Sequence, residues 1–476
     1  MAQSTVVSSF FWKFLERSTA QLLNFAIQLV LARILMPEDF GSIAIITAII
    51  NYATIFVQSG LATVIVQRKD ISKGDISTLL TSSLFIAFVL YWLLFFLSPY
   101  ISNYYEMPDL VWPIRVMSLS LFLASFNSIQ TAQYTREFRF KSLFYRSLIA
   151  IPISGFVGVY LALKGFGIWA LVVQSLLNTI VVIIYMWFDK NIYVKFGFSL
   201  ERAKSLYSFT WRILASGLLS SFSDTLRTMI IGKCYTRDNL AYYDKAYTYS
   251  GLLTQTIDTS IMGVLLPTFS RVQDDSDSLI NKARKSVSMT AFIMFPLLLG
   301  ACAMAKPLII LLLTEKWAGC IVFFMLFCIF RLPVSIVMID KQVYLALGNS
   351  KIGLFWEIYL LVANVVMLLI TMRISLIAIA LGAIAVQYIG DIIVFVISSK
   401  IYGYKLLYRL LDIWKPLISA GAMSLVMFSL TKLELSNIYI LLLQVLLGVS
   451  TFLLLEFILR DSNLKILSTM LNIRKK

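Results

Sequence analysis

The segment ISTLLTSSLFIAFVLYWLLFFL, residues 76–97, is predominantly apolar and carries no charged side chain. A helix needs about 20 consecutive, mostly apolar residues to cross the hydrocarbon core of a bilayer. The segment reaches that length without interruption, so it predicts a membrane-spanning helix. Runs of the same kind recur along the whole chain, which makes this segment one of a series.

The composition extends this prediction to the whole chain. Hydrophobic residues make up 59% of the 476 residues and charged residues 14%, whereas soluble domains average about 45 to 50% and about 25%. Apolar runs separated by polar turns predict spans from the N-terminus to about residue 459. We therefore predict an all-α integral membrane protein with about 14 transmembrane helices.

The distribution of the cations predicts the orientation of the chain. Of the 41 lysines and arginines, 25 fall on one side of the alternating connections and 7 on the other. Positively charged loops stay in the cytoplasm, so both termini are predicted to be cytoplasmic. The net charge of +16 then reflects topology, and nucleic acid is not an expected partner.

No cleavable signal peptide precedes the first helix, so the N-terminus is expected to be retained.

Groups that carry enzymatic or metal chemistry are scarce. The chain has no histidine, and the short outward connections hold neither a DxD pair nor a glycine-rich phosphate loop. The four cysteines lack CxxC spacing and are expected to be small, buried apolar residues. The sequence therefore predicts no catalytic site, no metal site and no cofactor, and favours a transporter over an enzyme.

An internal repeat appears when the first and seventh predicted helices are compared. Residues 11–15 (FWKFL) align with residues 210–214 (TWRIL) at an offset of 199, and Lys141 aligns with Lys351 at an offset of 210. The repeat predicts two pseudo-symmetric six-helix lobes of the same orientation plus a C-terminal helix pair. Transporters of this design place the substrate between the lobes.

The predicted boundaries follow from this repeat and from the hydrophilic break near residue 190. They are an N-terminal six-helix lobe at 1–190, a cytoplasmic linker at 191–204, a second six-helix lobe at 205–400, and a terminal helix pair with a basic tail at 401–476. The terminal pair lies outside the repeat, so it is expected to be an addition to the two-lobed transporter.

Polar and charged side chains inside the predicted spans are the candidate substrate-binding residues, because a charge at bilayer depth is costly unless it meets water or a partner. They form one stripe on each of two helices, at spacings that keep a stripe on one helical face. The stripes contain Lys13, Arg17, Asn24 and Gln28 on the first helix, and Arg212 and Arg227 on the seventh. Arginine matches phosphate through its planar fork of donors, so the stripes predict a cationic cavity for a headgroup such as pyrophosphate. Snorkelling to the interface, with Glu16 as a partner, is an open alternative for Lys13 and Arg17, and a role outside the cavity is equally open for Arg212.

Acidic residues inside the spans are candidates for ion coupling. Glu16, Asp224 and Asp258 are the main candidates for a proton or sodium site, followed by Glu357 and Asp391. Each can instead be the salt-bridge partner of a cation. Because histidine is absent, any proton relay must use carboxylates.

Further cations inside the spans need partners of their own. Arg115, Arg331 and Lys341 are each expected to pair with an acid. Asp340 and Lys341 are adjacent in sequence and do not face each other on a helix. Their partners are therefore expected on other parts of the chain.

Four segments carry a resemblance to a known family: LMPEDFG at 35–41, QYTREFRFK at 133–141, KGFGIWAL at 164–171 and LPTFSRVQD at 266–274. Together they resemble the Wzx-like (WzxC-type) polysaccharide and lipopolysaccharide biosynthesis flippases of the multidrug, oligosaccharidyl-lipid and polysaccharide exporter superfamily, over essentially the whole chain. The resemblance implies alternating access that flips an undecaprenyl-pyrophosphate-linked oligosaccharide for capsule, O-antigen or exopolysaccharide assembly. It also implies cationic cavity residues, and Arg17, Arg212 and Arg227 fit that role.

The resemblance also implies partners and leaves other functions to weigh. Besides the lipid-linked oligosaccharide and the bilayer, a polysaccharide polymerase and a chain-length regulator are expected partners. A cation-coupled small-molecule or drug antiporter of the same superfamily is one alternative, and it predicts a cavity dominated by acids. A membrane-embedded glycosyltransferase or polymerase is another, and it would need an essential carboxylate or arginine in an outward loop.

Overall fold

The computed structural model describes residues 2–58, 61–68, 70–189, 192–433 and 435–464. Side chains at 2–7, 9–10, 208–209, 212, 256 and 350 lie outside this description. Every regular element within these ranges is a helix, which confirms the all-α prediction.

The helices follow one another with short connections. The first nine are α1 Ala2–Ile34, α2 Pro37–Gln58, α3 Leu61–Gln67, α4 Lys73–Tyr105, α5 Val111–Met117, α6 Ser120–Arg136, α7 Phe140–Leu163, α8 Ile168–Trp187 and α9 Leu200–Cys234. The next nine are α10 Arg237–Ser270, α11 Ser276–Ala303, α12 Ala305–Leu313, α13 Cys320–Arg331, α14 Val334–Ala346, α15 Ser350–Thr371, α16 Leu376–Ile401, α17 Leu406–Leu430 and α18 Asn437–Ile458. Short 3-10 helices at Pro108–Leu110 and Glu315–Trp317 precede α5 and α13.

Length and apolar character identify the helices that can cross a membrane. Within the described ranges, 11 helical stretches meet both conditions. Three other helices, α1, α9 and α10, have 33, 35 and 34 residues. Each is longer than the span minimum of about 20 residues, but all three are more polar than the 11. The chain is therefore a multi-span membrane protein, and the number 14 stays a prediction.

The chain forms two compact units, Met1–Ala241 and Tyr242–Lys476. In the first unit α1 packs on α7, and α9 packs on α2 and α4. In the second unit α17 packs on α11 and α18. The packing boundary thus falls after α9, later than the linker predicted at 191–204. The lobes at 1–190 and 205–400 and the terminal pair at 401–476 stay predictions based on the repeat.

Polar caps fix where two of the spans begin. At the start of α4, Asp75 N donates to Ser72 Oγ at 3.1 Å and Ser72 N donates to Asp75 Oδ2 at 2.9 Å. At the start of α11, the backbone N–H groups of Asp277 and Ser278 donate to Asp275 Oδ1, each at 3.1 Å. Such bonds satisfy donors that have no partner inside the helix. The hydroxyl and backbone N–H of Ser278 also hold the pKa of Asp275 below its ordinary value.

The internal repeat is visible in the turns of the backbone. Helices α1 and α9 end 200 positions apart, and each is followed by two residues before the next helix begins. Helices α6 and α14 end 210 positions apart, and the next turns contain Phe138 and Gly348, with φ of 55° and 73°. The same backbone hydrogen bond closes both turns, from Arg139 N to Tyr134 O at 2.9 Å and from Asn349 N to Tyr344 O at 2.8 Å. These equivalences support the duplication read from the sequence.

The intramembrane cations do not all find the partners expected of them. Asp340 and Lys341 have separate partners as predicted, because Arg409 donates to Asp340 and Lys341 Nζ donates to Glu357 Oε1 at 3.0 Å. Arg331 acts electrostatically on Asp258 of α10, whereas Arg115 makes no ion pair among the described residues. The Nε atoms of Arg115 and Arg331 donate to serine hydroxyls, to Ser98 at 2.9 Å and Ser250 at 3.1 Å, and an aromatic ring lies under each guanidinium. For Arg115, a hydroxyl and a ring face take the place of an opposite charge.

The cysteines differ in exposure. Cys320 and Cys328 are buried and Cys302 is half-buried, while Cys234 is exposed. The prediction of a buried cysteine is therefore wrong for Cys234. The reason is that this residue is the last of α9, where the span ends at a connection.

Candidate functional site

Four of the predicted substrate-binding side chains lie on α1. Lys13, Arg17 and Asn24 are exposed, and Gln28 is half-buried. Because α1 is helical from Ala2 to Ile34, the spacing read from the sequence keeps these side chains on one face. The stripe therefore exists as a continuous polar face on one long helix of the first unit.

Three cations act electrostatically on one carboxylate near the start of this stripe. Glu16 is half-buried, and the charges that attract it belong to Arg146 on α7 and to Lys13 and Arg17 on α1. The hydroxyl of Ser147 also lies beside it. Glu16, predicted as an ion-coupling residue, is thus the counter-charge of a cationic group.

Arg146 was not among the residues predicted from the sequence, where it counted only toward topology. Its Nη1 donates to Thr131 Oγ1 at 2.8 Å and to Asn127 Oδ1 at 3.3 Å, both on α6. Its Nε has no hydrogen-bond partner among the described residues. The two polar side chains of α6 hold the guanidinium in place and leave it with unused donor capacity.

Aromatic contacts join α1 to α7 next to these charges. Lys13 Nζ lies 5.3 Å from the ring centroid of Phe140, and Lys141 Nζ lies 5.4 Å from that of Trp12. The rings of Trp12 and Phe144 are 5.6 Å apart. Cation–π and ring contacts of this kind stabilise the pairing of the two helices. They keep Arg146 beside the stripe of α1.

The second stripe lies on α9. Asp224 Oδ1 and Arg227 Nη2 are 2.8 Å apart, with the acid more exposed than the arginine. A predicted ion-coupling residue and a predicted substrate-binding residue therefore form an ion pair with each other. Arg212 belongs to α9, but its side chain lies outside the described residues. Since α9 packs on α2 and α4 and α1 packs on α7, the two stripes are held by different neighbours.

Asp258 lies on α10 in the second unit. It is half-buried, with Ser335 and Thr254 beside its carboxylate and Arg331 as the attracting cation. Its Oδ1 has no hydrogen-bond partner among the described residues.

The other acids inside the predicted spans have partners: Glu357 pairs with Lys341, and Asp391 accepts a hydrogen bond from Gln387 at 2.9 Å. No group of three His, Cys, Asp or Glu side chains in the described ranges is placed to hold a metal ion.

Comparison with known proteins decides the family. The sequence matches the model of a family described as polysaccharide biosynthesis protein over residues 30–322, more than half of the chain. The chain belongs to the polysaccharide biosynthesis protein family. This membership confirms the resemblance noted in the sequence, and the matched region includes α9 and its ion pair.

Two curated relatives come from bacterial polysaccharide systems. The succinoglycan biosynthesis transport protein ExoT of Rhizobium meliloti is 24% identical over 314 residues, which cover 66% of this chain and 64% of that protein. The lipopolysaccharide biosynthesis protein WzxC of Escherichia coli is 24% identical over 395 residues, which cover 81% and 80%. This member of the polysaccharide biosynthesis protein family thus matches just under two thirds of the length of ExoT and four fifths of WzxC.

A solved structure shows the same fold. The lipid II flippase MurJ in an inward closed conformation superposes with a TM-score of 0.75 at 15% sequence identity, over 96% of this chain and 99% of that chain. At this identity the likeness concerns the fold alone. It confirms for this polysaccharide biosynthesis protein the predicted fold class, an all-helical, multi-span membrane protein.

Proposed function

We propose that this protein flips undecaprenyl-pyrophosphate-linked oligosaccharides across a bacterial inner membrane by alternating access, for assembly of a surface polysaccharide such as capsule, O-antigen or exopolysaccharide. The observation that carries the proposal is the group of Lys13, Arg17 and Arg146, which act on the carboxylate of Glu16 where cation–π contacts join α1 to α7. In this group the cations outnumber the acid three to one. An anionic ligand would restore the balance.

The chemistry of a pyrophosphate matches this group. Its oxygens accept several hydrogen bonds and carry negative charge, and the arginine guanidinium presents donors in a planar fork of matching geometry. Charged groups at membrane depth are kept where they serve a substrate or ion pathway, because they are costly to bury in lipid. Asn24 and Gln28, further along the α1 stripe, would hydrogen-bond the sugar hydroxyls as the headgroup advances.

The relatives support transport over catalysis. ExoT is named a transport protein of succinoglycan biosynthesis, WzxC a protein of lipopolysaccharide biosynthesis, and MurJ a lipid flippase. A shared substrate class, a sugar chain attached to a lipid carrier, is consistent with all three names. We infer a transporter without catalytic residues, which delivers its substrate to a polysaccharide polymerase and a chain-length regulator.

Ion coupling, where present, is assigned to Asp258. Glu16 interacts with three cations and Asp224 forms an ion pair with Arg227. Both acids are therefore less available to a coupling ion than Asp258. Asp258 retains a carboxylate oxygen without a hydrogen-bond partner in the described residues. A drug antiporter would depend on such acids alone, whereas the cationic group on α1 and α7 has no role in carrying a cationic drug.

Deletion of the gene in its own host tests the proposal. We expect the surface polymer to be lost and the lipid-linked repeat unit to accumulate in the cytoplasmic leaflet. Complementation with Arg146→Ala should leave the defect, whereas Lys341→Ala, which removes a cation of the second unit, should restore the polymer. Unchanged lipid-linked intermediates together with normal polymer would sink the flippase proposal, and new drug sensitivity would favour the antiporter.

A further inference from the structure

The terminal helices α17 and α18 enclose an acid that the proposed transport chemistry does not use. Glu456 on α18 is 0% exposed, and neither of its carboxylate oxygens has a hydrogen-bond partner among the described residues. Ser419 on α17 lies beside it. Its hydroxyl is equally buried and also lacks a partner in hydrogen-bonding geometry. Two unsatisfied polar side chains therefore face each other across the α17–α18 interface.

The packing of α18 prevents Glu456 from turning outward. The buried positions of this helix recur every four residues and end at the acid, namely Ile440, Gln444, Gly448, Phe452 and Glu456. The last aromatic of this series, Phe452, packs on Phe292 of α11 with ring centroids 5.3 Å apart. A Cβ added at Gly448 would lie 2.6 Å from the sulfur of Met427 on α17. This close fit holds the stripe, and with it Glu456, against α17.

The charged groups near Glu456 do not neutralise it. Lys415 on α17 attracts it and Asp461, just after α18, repels it, but Lys415 makes no ion pair with it among the described residues. Lys415 Nζ donates to the backbone carbonyl of Arg460 at 3.4 Å, and Asp461 Oδ1 accepts from Asn463 N at 2.6 Å. Ser288 of helix α11 accepts a hydrogen bond from Asn463, and among the described residues Lys415 and Asp461 are the charged groups that act on Glu456.

A buried carboxylate without partners is too costly to keep ionised, and such a group takes up a proton instead. A metal cation would need about six oxygen ligands, whereas Glu456 and Ser419 supply three oxygens. We propose that Glu456 and Ser419 form a proton-binding site, in which Glu456 is a neutral carboxylic acid that donates a hydrogen bond to Ser419 Oγ.

The position of the site gives the proton a source. Glu456 lies two residues before the end of α18 at Ile458, on the side that the charge distribution predicts to be cytoplasmic. Loss of the proton would leave a negative charge inside the α17–α18 interface and weaken its packing. The stability of the terminal pair thus depends on cytoplasmic pH, and this inference does not depend on the proposed transport function.

Infrared spectroscopy of the full-length protein in lipid nanodiscs detects the protonated acid directly. The carbonyl band of carboxylic acids should lose intensity in Glu456→Gln and stay unchanged in Glu357→Gln, whose native carboxylate is half-exposed and bound by Lys341. Ser419→Ala keeps the acid but removes the hydrogen-bond acceptor of its proton, so the carbonyl band should shift in frequency. This variant tests the proposal even if Glu456→Gln fails to fold. An identical band in wild type and both Glu456→Gln and Ser419→Ala would overturn the proposal.

Thermal unfolding supplies a second, independent readout. Between about pH 5 and about pH 9, a range that includes the ionisation of buried acids, the wild type should lose melting temperature relative to Glu456→Gln as pH rises. The sign follows because the folded state holds a proton that the unfolded chain releases at lower pH. Parallel curves for the two proteins would contradict a proton site. Stabilisation of the wild type by added sodium at constant pH, absent in Glu456→Gln, would show a metal cation as the ligand and also overturn the proposal.

Discussion

At the scale of single residues, Arg409 shows what a fully buried charge requires in this protein. Its Nη1 donates to Asp340 Oδ2 at 2.8 Å and its Nη2 to Asp340 Oδ1 at 2.6 Å, while Tyr402 also donates to that carboxylate. The guanidinium lies 4.3 Å from the ring centroid of Phe395 and 4.1 Å from that of Tyr404. Hydrogen bonds and ring faces take the place of water at the two Nη atoms and at the carboxylate, while Arg409 Nε has no hydrogen-bond partner among the described residues. These contacts hold α17 against α14.

Truncating one partner of this pair should be strongly destabilising. Asp340→Ala leaves the Arg409 charge buried without a counter-charge, which costs about 3 to 5 kcal/mol. The exposed pair of Lys341 and Glu357 is the control, since Lys341→Ala should cost at most about 1 kcal/mol. Thermal unfolding in detergent measures both. Equal melting temperatures for the two variants would contradict the anchoring role of Asp340.

Arg146 is expected to bind the pyrophosphate directly. Loss of a charged hydrogen-bond donor costs about 1.5 to 3 kcal/mol, so Arg146→Gln should weaken binding of undecaprenyl pyrophosphate about 10-fold to 100-fold. Arg115→Gln is the matched control, because Arg115 bonds Ser98 and the Phe95 carbonyl in the same unit. Glu16→Gln should strengthen binding by removing a competing charge. Calorimetric titration measures the affinity of each variant for undecaprenyl pyrophosphate. An equal loss of affinity in Arg146→Gln and Arg115→Gln would argue against a direct contact of Arg146 with the ligand.

The sequence identified one part of this cationic group and missed the other. Lys13 and Arg17 share a face of a single helix, so helical spacing alone was enough to place them together. Arg146 comes from α7, and its fixed orientation depends on Asn127 and Thr131 of α6. Contacts between helices leave no periodic signal in one sequence. The only sequence signal for Arg146 was a cation at the start of an apolar run, which topology also explains.

At the scale of helices, close approach of two backbones is a specific requirement. A Cβ added at Gly41 on α2 would lie 2.0 Å from the carbonyl oxygen of Arg237, at the start of α10. Backbone atoms cannot move aside as a flexible side chain can. The same arginine donates to both carboxylate oxygens of Asp109, at 2.7 and 2.6 Å, so this end of α10 is fixed from two sides.

Gly41→Ala should therefore destabilise the first unit. Overpacking of this kind costs about 1 to 3 kcal/mol, and a backbone clash belongs at the upper end. Gly421→Ala is the control, since nothing lies within 4 Å of a Cβ there and the change should stabilise α17 by about 0.4 to 1 kcal/mol. Melting temperatures should move in opposite directions. A Gly41→Ala protein as stable as the wild type would contradict the close contact.

Hydropathy located the helices better than it located their ends. The apolar run at 76–97 lies inside α4, Lys73–Tyr105, which extends further because Ser72 caps its start and Glu106 ends it in a left-handed conformation. Hydropathy alone also does not separate short helices, since the single apolar stretch Cys320–Ala346 contains α13 and α14 as distinct elements. Capping bonds and breaks within an apolar run depend on local geometry, and apolar character does not report them.

At the scale of the whole molecule, the charge distribution predicts which connections face the cytoplasm. The connection after α9 directly follows the exposed Cys234 and belongs to the set with few cations, so it should face the periplasm. The connection before α9 contains the exposed Lys195 and should face the cytoplasm. The repeat supports this assignment, because an even number of spans per lobe gives both lobes the same orientation.

Thiol labelling in intact cells tests this orientation. A membrane-impermeant maleimide should label the native Cys234 from outside the inner membrane. In a Cys234→Ser background, Lys195→Cys should be labelled only after the membrane is made permeable. Labelling with the opposite sidedness would show that the chain is inverted and that the positive connections are periplasmic.

Reconstitution tests the central claim, that this protein moves a lipid-linked oligosaccharide through a cationic path. Purified protein is placed in liposomes that contain a fluorescent undecaprenyl-pyrophosphate oligosaccharide, and exchange between leaflets is followed for the wild type, Arg17→Ala, Arg227→Ala and the control Gly421→Ala. The account predicts protein-dependent exchange in the wild type and the control, and its loss in both arginine variants. Exchange unaffected by either arginine substitution, or no exchange by the wild type with native lipids, would contradict it.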